Sequence, residues 1–281
     1  MEEGTMPKKI NIDENEIVRL YVEEKWRTKD IAEYFKVSKD LITRRLHKKG
    51  VKLRTSCELN RKYNFNEDYF NLINTKEKAY LLGLICADGW VAKGGSRGRP
   101  NVLGLAFQVK DQELIEFAIK QIGGNKQARV VKNSVQVTFN SVKLVDRLME
   151  YGIVPNKSLT LNIENVIKQA KIPKELIPSF LLGYFDGDGC ITSSRHTQYK
   201  HNILWTCTFV GTLETCNFLL NYFNTGFLVD EKSTNKKTYR YQVGGINKVS
   251  TVLITLYEQH NGFCLSRKYE KFLTMKSRLK Q

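Results

Sequence analysis

The chain carries one short pattern twice. Leu81-Leu82-Gly83-Leu84-Ile85-Cys86-Ala87-Asp88-Gly89 is answered, one hundred positions later, by Leu181-Leu182-Gly183-Tyr184-Phe185-Asp186-Gly187-Asp188-Gly189. Each copy is an apolar run closed by an acid and a glycine. Ala79, Gly83 and Ala87, then Ser179, Gly183 and Gly187, place small side chains at spacing four, which is one face of a helix. The pattern predicts two helices, each with a nearly bare stripe. Glycine inside a helix is disfavoured by about 1 kcal/mol relative to alanine. Two bare stripes offset that by letting backbones approach closely, as small-residue motifs do between membrane helices. Gly89 and Gly189 are expected to end the helices in the left-handed conformation. Asp88 and Asp188 then fall at helix C-termini, where the macrodipole disfavours a carboxylate. Side-by-side packing would also set the two charges against each other. A divalent cation relieves both strains. Two carboxylates, joined by the backbone carbonyls of Ala87 and Gly187, are hard oxygen donors that favour Mg²⁺ over zinc, with Mn²⁺ an acceptable substitute. Two unrelated helices can each end in Asp-Gly, but matching stripes would then be coincidence.

At these residues the chain resembles the LAGLIDADG homing endonucleases of the single-chain, two-motif kind. In that family the two motif helices form the interface between two halves, and the last acid of each motif holds metal at the cleavage site. The second copy matches closely. The first departs at its sixth position, where Cys86 replaces the usual aspartate. The metal-binding acid is the eighth position, so the departure is not expected to remove metal binding. The resemblance spans about 76–281.

The chain has 281 residues, a formal net charge of +16 and a pI of about 9.5, which point to a polyanionic partner, nucleic acid first. Up to position 62 there are 16 Lys and Arg against 11 Asp and Glu; beyond it, 29 against 18. Both parts are basic, so the charge is not one solvated tail. The six cysteines form no C-x-x-C pair and no zinc spacing with histidine. His47, His196, His201 and His260 form no ligand cluster either. Free thiols imply an intracellular, reducing compartment: cytoplasm, nucleoid or an organelle matrix. No apolar run approaches a membrane span or a signal peptide, so no membrane partner is expected.

Taken in order, 1–54 reads as a small all-α domain with 1–12 disordered. Its helices are expected at 13–25, 28–35 and 38–49, the last capped by Ser38. The order Ile31-Ala32-x-x-Phe35-x-Val37-Ser38 resembles a helix-turn-helix. Lys39, Thr43, Arg44, His47 and Lys48 lie opposite the apolar face of the third helix and would enter a major groove. A solvated basic face is the plainer alternative. Residues 55–75 read as a linker, and Arg54, with Arg61 and Lys62, could track phosphates.

Two halves follow, 76–172 and 173–281, each reading helix-strand-strand-helix-strand-strand-helix. The expected fold class is α+β: a pseudo-symmetric duplication of an αββαββα unit, plus the helix-turn-helix domain. The resemblance implies the same topology, with the two antiparallel sheets forming a saddle on DNA and the motif helices at the interface. Strands are expected at about 101–109, 127–140, 202–210 and 226–243. The exposed candidates for DNA contact are Arg97, Arg99, Gln136, Arg195, Lys200, Lys236, Lys237, Arg240 and Gln242.

The resemblance also implies a lysine and a polar residue near each scissile phosphate. Lys157 in Asn156-Lys157-Ser158 and Lys268 in Arg267-Lys268-Tyr269 match the lysine positions. Gln108 matches the water-organising position in the first half, and Phe209 stands there in the second, which predicts unequal cutting of the two strands. The catalytic set is thus Asp88, Asp188, Lys157, Lys268 and Gln108. The expected function is site-specific double-strand DNA cleavage by a monomer on a long asymmetric target. A non-cleaving DNA-binding regulator, or a maturase acting on intron RNA, are the alternatives on the same scaffold.

Overall fold

The computed structural model describes residues 12–54, 59, 63–95, 101–195, 203–230, 238–258 and 263–279. The chain divides into two compact units, Met1–Lys62 and Tyr63–Gln281.

The first unit packs α1 (Glu14–Val22), α2 (Thr28–Tyr34) and α3 (Lys39–Lys48) around Ile17, Leu20, Tyr21, Ile31, Ala32, Ile42 and Leu46. The helices start where a side chain can satisfy the first free amides. Asp13 accepts from the Asn15 amide, Asp30 reaches back to the Arg27 amide, and Ser38 accepts from the Leu41 amide. Lys25 and Lys36 take left-handed conformations after α1 and α2, turning the chain sharply between helices.

The second unit begins at Tyr63, and the aromatic residues that follow pack on it. Tyr69, Phe70 and Ile73 are buried in its core, so 63–74 is no free linker. The motif helices are α4 (Lys76–Asp88) and α8 (Ile177–Asp188). Every residue from Ala79 to Cys86 and from Ser179 to Asp186 is buried, which is why these helices are apolar on all sides. They pack against each other through the bare stripes. A Cβ added at Gly83 would lie 1.9 Å from the Phe180 carbonyl oxygen, and one at Gly183 would lie 1.9 Å from the Tyr80 carbonyl oxygen.

Each motif helix runs directly into a strand. The first sheet contains β1 (Gly89–Ala92), β2 (Val102–Gln108), β3 (Arg129–Val131) and β4 (Ser134–Asn140), in the order β1-β2-β4-β3. The second contains β5 (Gly189–Arg195), β6 (Ile203–Gly211), β7 (Phe227–Asp230) and β8 (Tyr239–Gly244), in the order β5-β6-β8-β7. All pairings are antiparallel, and the registers repeat. Gly89 faces Leu105 as Gly189 faces Phe209; Leu105 faces Val137 as Phe209 faces Tyr241. Alternate residues turn inward onto the helices. In the first half those helices are α5 (Glu113–Ile122) and α6 (Val142–Glu150); in the second, α9 (Leu213–Phe223) and α10 (Ile246–Tyr257). A short α7 (Ile163–Gln169) leads toward the second half, and α11 (Ser266–Arg278) closes it.

One expectation fails at the helix ends. Gly89 (φ −76°, ψ 156°) and Gly189 (φ −96°, ψ 162°) are extended, not left-handed. Each is already the first residue of a strand, so the helix stops without a left-handed cap. Glycine is needed there for space. A Cβ at Gly89 would meet the Ile85 carbonyl oxygen at 2.7 Å, and one at Gly189 would meet the Phe185 ring at 2.0 Å.

Candidate functional site

The crossing of α4 and α8 carries Asp88 and Asp188 to adjacent helix ends. A Cβ at Gly187 would fall 2.3 Å from the Ala87 Cβ and 3.0 Å from Asp88 Oδ2, so the second helix end lies against the first carboxylate. Asp88 is exposed along one edge and Asp188 is half-buried, with dense protein beneath both. That burial raises the pKa of Asp88, against the pull of Lys268 and Lys157. Asp188 is pushed up to about 6, first by burial and then by the neighbouring Asp88. Two carboxylates whose charged forms are disfavoured by burial and by each other suit a hard cation. Among the described residues, no group of three or more His, Cys, Asp or Glu could hold a metal ion.

Both lysines expected from the sequence reach the helix ends. Lys157, in a short 3₁₀ turn entered through left-handed Asn156, donates from Nζ to the Ala87 carbonyl at 2.8 Å. Lys268, in the first turn of α11, donates to the carbonyls of Phe185 (2.6 Å), Asp186 (2.9 Å) and Gly189 (2.6 Å). A cation is favourable at a helix C-terminus. Both lysines are buried, and burial lowers the pKa of each.

Sequence reasoning missed a clasp behind this site. Asp186 is buried, and its Oδ2 accepts from the Tyr80 hydroxyl (2.7 Å) and the Leu265 amide (2.8 Å). Burial pushes its carboxyl up to about 6 despite nearby Lys268. The first turn of α11 is tied to the first half as well. Arg267 grips Asp111 through two bonds of 2.7 and 3.0 Å, and Ser266 bonds Glu113. Reciprocally, the Leu161 carbonyl accepts from the hydroxyls of Thr212 (2.6 Å) and Thr215 (3.0 Å). Each half is strapped onto the other. The sequence signal lay in the repeat itself: where the first copy has Tyr80 and Cys86, the second has Phe180 and Asp186.

The register corrects the pairing of Gln108 with Phe209. Phe209 faces Gly189 and is buried; its counterpart is Leu105, which faces Gly89 and is also buried. The position matching Gln108 is Thr212, which caps α9 and whose proton goes to Leu161. Gln108 itself is exposed at the end of β2, on the face that carries Gly104 and Ala106. That face, turned away from the helices, also holds Trp90, Gln136, Thr138 and Arg129. Trp90 lies over Gly104, where a Cβ would meet its ring at 2.2 Å.

In the second sheet Arg240 and Gln242 share the corresponding face with Thr206, Thr208 and Val210. Arg195 does not. It faces Ile203 on the side that carries Ile191 and Trp205, because strand parity puts it one residue off the polar face. On α3, Lys39, Arg44, His47 and Lys48 are exposed and Thr43 is half-buried. Lys48 pairs with Glu14 at 3.3 Å. Arg54 is not the phosphate contact that was expected. Its guanidinium bonds the carbonyls of Lys25 (2.8 Å) and Trp26 and stacks 4.4 Å over the Tyr21 ring, holding the turn after α1. Arg61, Lys62, Arg97, Arg99, Lys200, Lys236 and Lys237 lie outside the described residues.

A profile of the LAGLIDADG endonuclease family matches residues 181–279. No curated protein sequence matches the chain significantly. Solved structures do match. The meganuclease I-SmaMI bound to uncleavable DNA aligns at a TM-score of 0.52 and 14% identity, covering 72% of this chain and 90% of its own. The LAGLIDADG meganuclease I-AabMI bound to uncleaved DNA aligns at 0.52 and 18% identity over 72% and 90%. The I-LtrWI LAGLIDADG homing endonuclease bound to target DNA aligns at 0.51 and 16% over 76% and 92%. I-SmaMI has also been captured on an uncleaved DNA target in the presence of calcium ions. The profile covers the second motif, the solved structures share the fold, and the repeated registers carry the same architecture into the first half. Residues 181–279 thus match the LAGLIDADG endonuclease family, and the fold is the one seen in LAGLIDADG meganucleases.

Proposed function

We propose that this chain is a homing-type, site-specific endonuclease that hydrolyses both strands of a DNA target with a divalent metal at the α4–α8 crossing. The observation that carries the reading is the convergence of Asp88 and Asp188, each backed by a buried lysine on the carbonyls of its own motif helix. Asp88 and Asp188 would hold the metal, with the Ala87 and Gly187 carbonyls beside them. The Ala87 oxygen has a second lone pair left after its bond to Lys157. Bound there, Mg²⁺ would activate water and stabilise charge on the phosphate. The protein's own part is to hold two carboxylates together against their repulsion and to keep bulk water out of the helix interface behind them. The polar sheet faces, with Gln108, Gln136, Arg240 and Gln242, would lie along the duplex. Exposed α3 would add phosphate and groove contacts as a helix-turn-helix. The strong positive charge predicts steep salt dependence of binding. We place the protein in a reducing compartment, acting as a monomer, since both acids lie in one chain.

The test uses a supercoiled plasmid carrying the sequences that flank this gene, joined without it. Linearisation with Mg²⁺ or Mn²⁺, abolished by EDTA, supports the reading. Salt-sensitive binding without cutting under either metal favours a regulator, and protection of intron RNA favours a maturase.

A further inference from the structure

The outward face of the first sheet carries an aromatic side chain that the proposed chemistry does not use. Trp90 stands two residues beyond Asp88 on β1 and points away from the helices, 38% exposed. Its ring covers Gly104, its register partner on β2. Gly104 is buried although it lies on the outward face, because the indole is its cover. A side chain at 104 would displace the ring, since a built Cβ falls 2.2 Å from it. Ala106 follows on the same face, and Thr138 pairs with Gly104 from β4.

The second sheet builds the same place differently. The registers match Trp90 with Cys190, Gly104 with Thr208, and Thr138 with Gln242. A ring over a glycine on one side stands against a thiol beside a hydroxyl and a primary amide on the other. One acid therefore has an apolar plate next to it, and the other has hydrogen-bonding groups. Exposure of a single aromatic residue says little by itself. The glycine beneath the ring says more, because it seats the indole on the face that also holds Gln108, Gln136 and Arg129.

Resting on the reading that the sheet faces lie along duplex DNA, we infer that Trp90, seated on Gly104, is a specificity-determining residue that reads a thymine through its C5-methyl group. Among the four bases only thymine presents a methyl in the major groove, and apolar side chains are what contact it. An indole has one donor and no acceptor, so it makes no bidentate pair with a purine edge. Its place next to Asp88 puts this thymine among the bases nearest the acids, in the half-site under the first sheet. Cys190, Thr208 and Gln242 give the other half-site a hydrogen-bonded preference at the matching position.

The test is a binding selection, which needs no cutting. The parent chain, Trp90→Ala and Gly104→Ala are each equilibrated in Ca²⁺ with duplexes of the joined flanking sequences, randomised one position at a time. The parent should select thymine at one position close to the acids. Replacing that thymine with deoxyuridine removes only the methyl and should weaken binding about fourfold. In Trp90→Ala the penalty on deoxyuridine should vanish, and that position alone should relax. Gly104→Ala keeps the indole but unseats it, and should relax the same position; it carries the test should Trp90→Ala not fold. Unchanged preference at every position in both variants would overturn the inference while leaving the endonuclease reading intact. So would an equal loss of affinity for all sequences, which marks a structural or phosphate-contacting role. A parent chain that selects no sequence would overturn both.

Discussion

At the crossing of α4 and α8, Gly83 faces the Phe180 carbonyl as Gly183 faces the Tyr80 carbonyl, at the same 1.9 Å to a built Cβ. One turn on, the two sides part. Tyr80 donates to Asp186, and Asp186 also holds the Leu265 amide; the matching residues on the other side are Phe180 and Cys86. The backbone contact cannot vary, because no side chain fits there. The side chains around it differ between the copies at both positions of the pair. A buried carboxylate without donors is strongly destabilising, so a ring without a hydroxyl goes with a thiol in place of the acid. Cys86 thus goes with Phe180 where Asp186 goes with Tyr80, and Asp88 and Asp188 stand at the same place in both copies.

The largest way to break the shared part is to add bulk at the crossing. Gly83→Val or Gly183→Val should remove cooperative unfolding of the second unit or destabilise it by at least about 3 kcal/mol, read by thermal melting. An intact melt would mean that the helices can part without loss. Next comes the clasp. Asp186→Leu strands the Tyr80 hydroxyl and the Leu265 amide and should destabilise by about 3 kcal/mol. Cys86→Asp places a carboxylate without its hydroxyl partner and should destabilise by about 2 kcal/mol, with Phe180→Tyr in the same chain recovering about 1 kcal/mol. Additive effects in that double-mutant cycle would show that the two positions do not form a second clasp.

A smaller effect separates stability from chemistry by pH. Burial raises the Asp186 carboxyl to about 6 in the folded chain, above its ordinary unfolded value. The folded state holds that proton more tightly. Its contribution to stability is therefore full below about pH 4 and is lost as pH rises through about pH 6. Denaturation across that range should show the parent losing about 2 kcal/mol relative to Asp186→Asn. Cutting should move the other way. On the proposed function Asp188 would have to ionise to hold metal, so the rate should fall below about pH 6. Higher metal concentration should shift that limb to lower pH, since a cation favours the ionised form. The smallest expected change is a slight rise in melting temperature in Asp88→Asn, which relieves repulsion on Asp188.

Local sequence revealed the motif helices, their terminal acids and the order of strands and helices, because spacing four, alternation and glycine are local signals; Lys157 and Lys268 came only from the resemblance, through the motifs around them. What it did not reveal depends on register and on contacts across the chain. Phe209 was matched to Gln108 because β6 was read without its partner; only the pairing with Gly189 shows it to be the counterpart of Leu105. Arg195 was off by one residue of strand parity. Arg54 looked like a phosphate contact because its acceptors, the Lys25 and Trp26 carbonyls, are far away in sequence. The clasp of Tyr80, Asp186 and Leu265 joins three distant segments, yet its trace stood in the repeat as Tyr/Phe and Cys/Asp.

The most direct measurement is metal-dependent cleavage of the joined flanking sequence by the parent chain, Asp88→Asn and Asp188→Asn. With both strands labelled, the account predicts double-strand cutting by the parent in Mg²⁺ and none in EDTA. Each variant should be reduced to a nick or to no cut, with folding and DNA binding retained. Double-strand cutting that survives loss of either acid would contradict it.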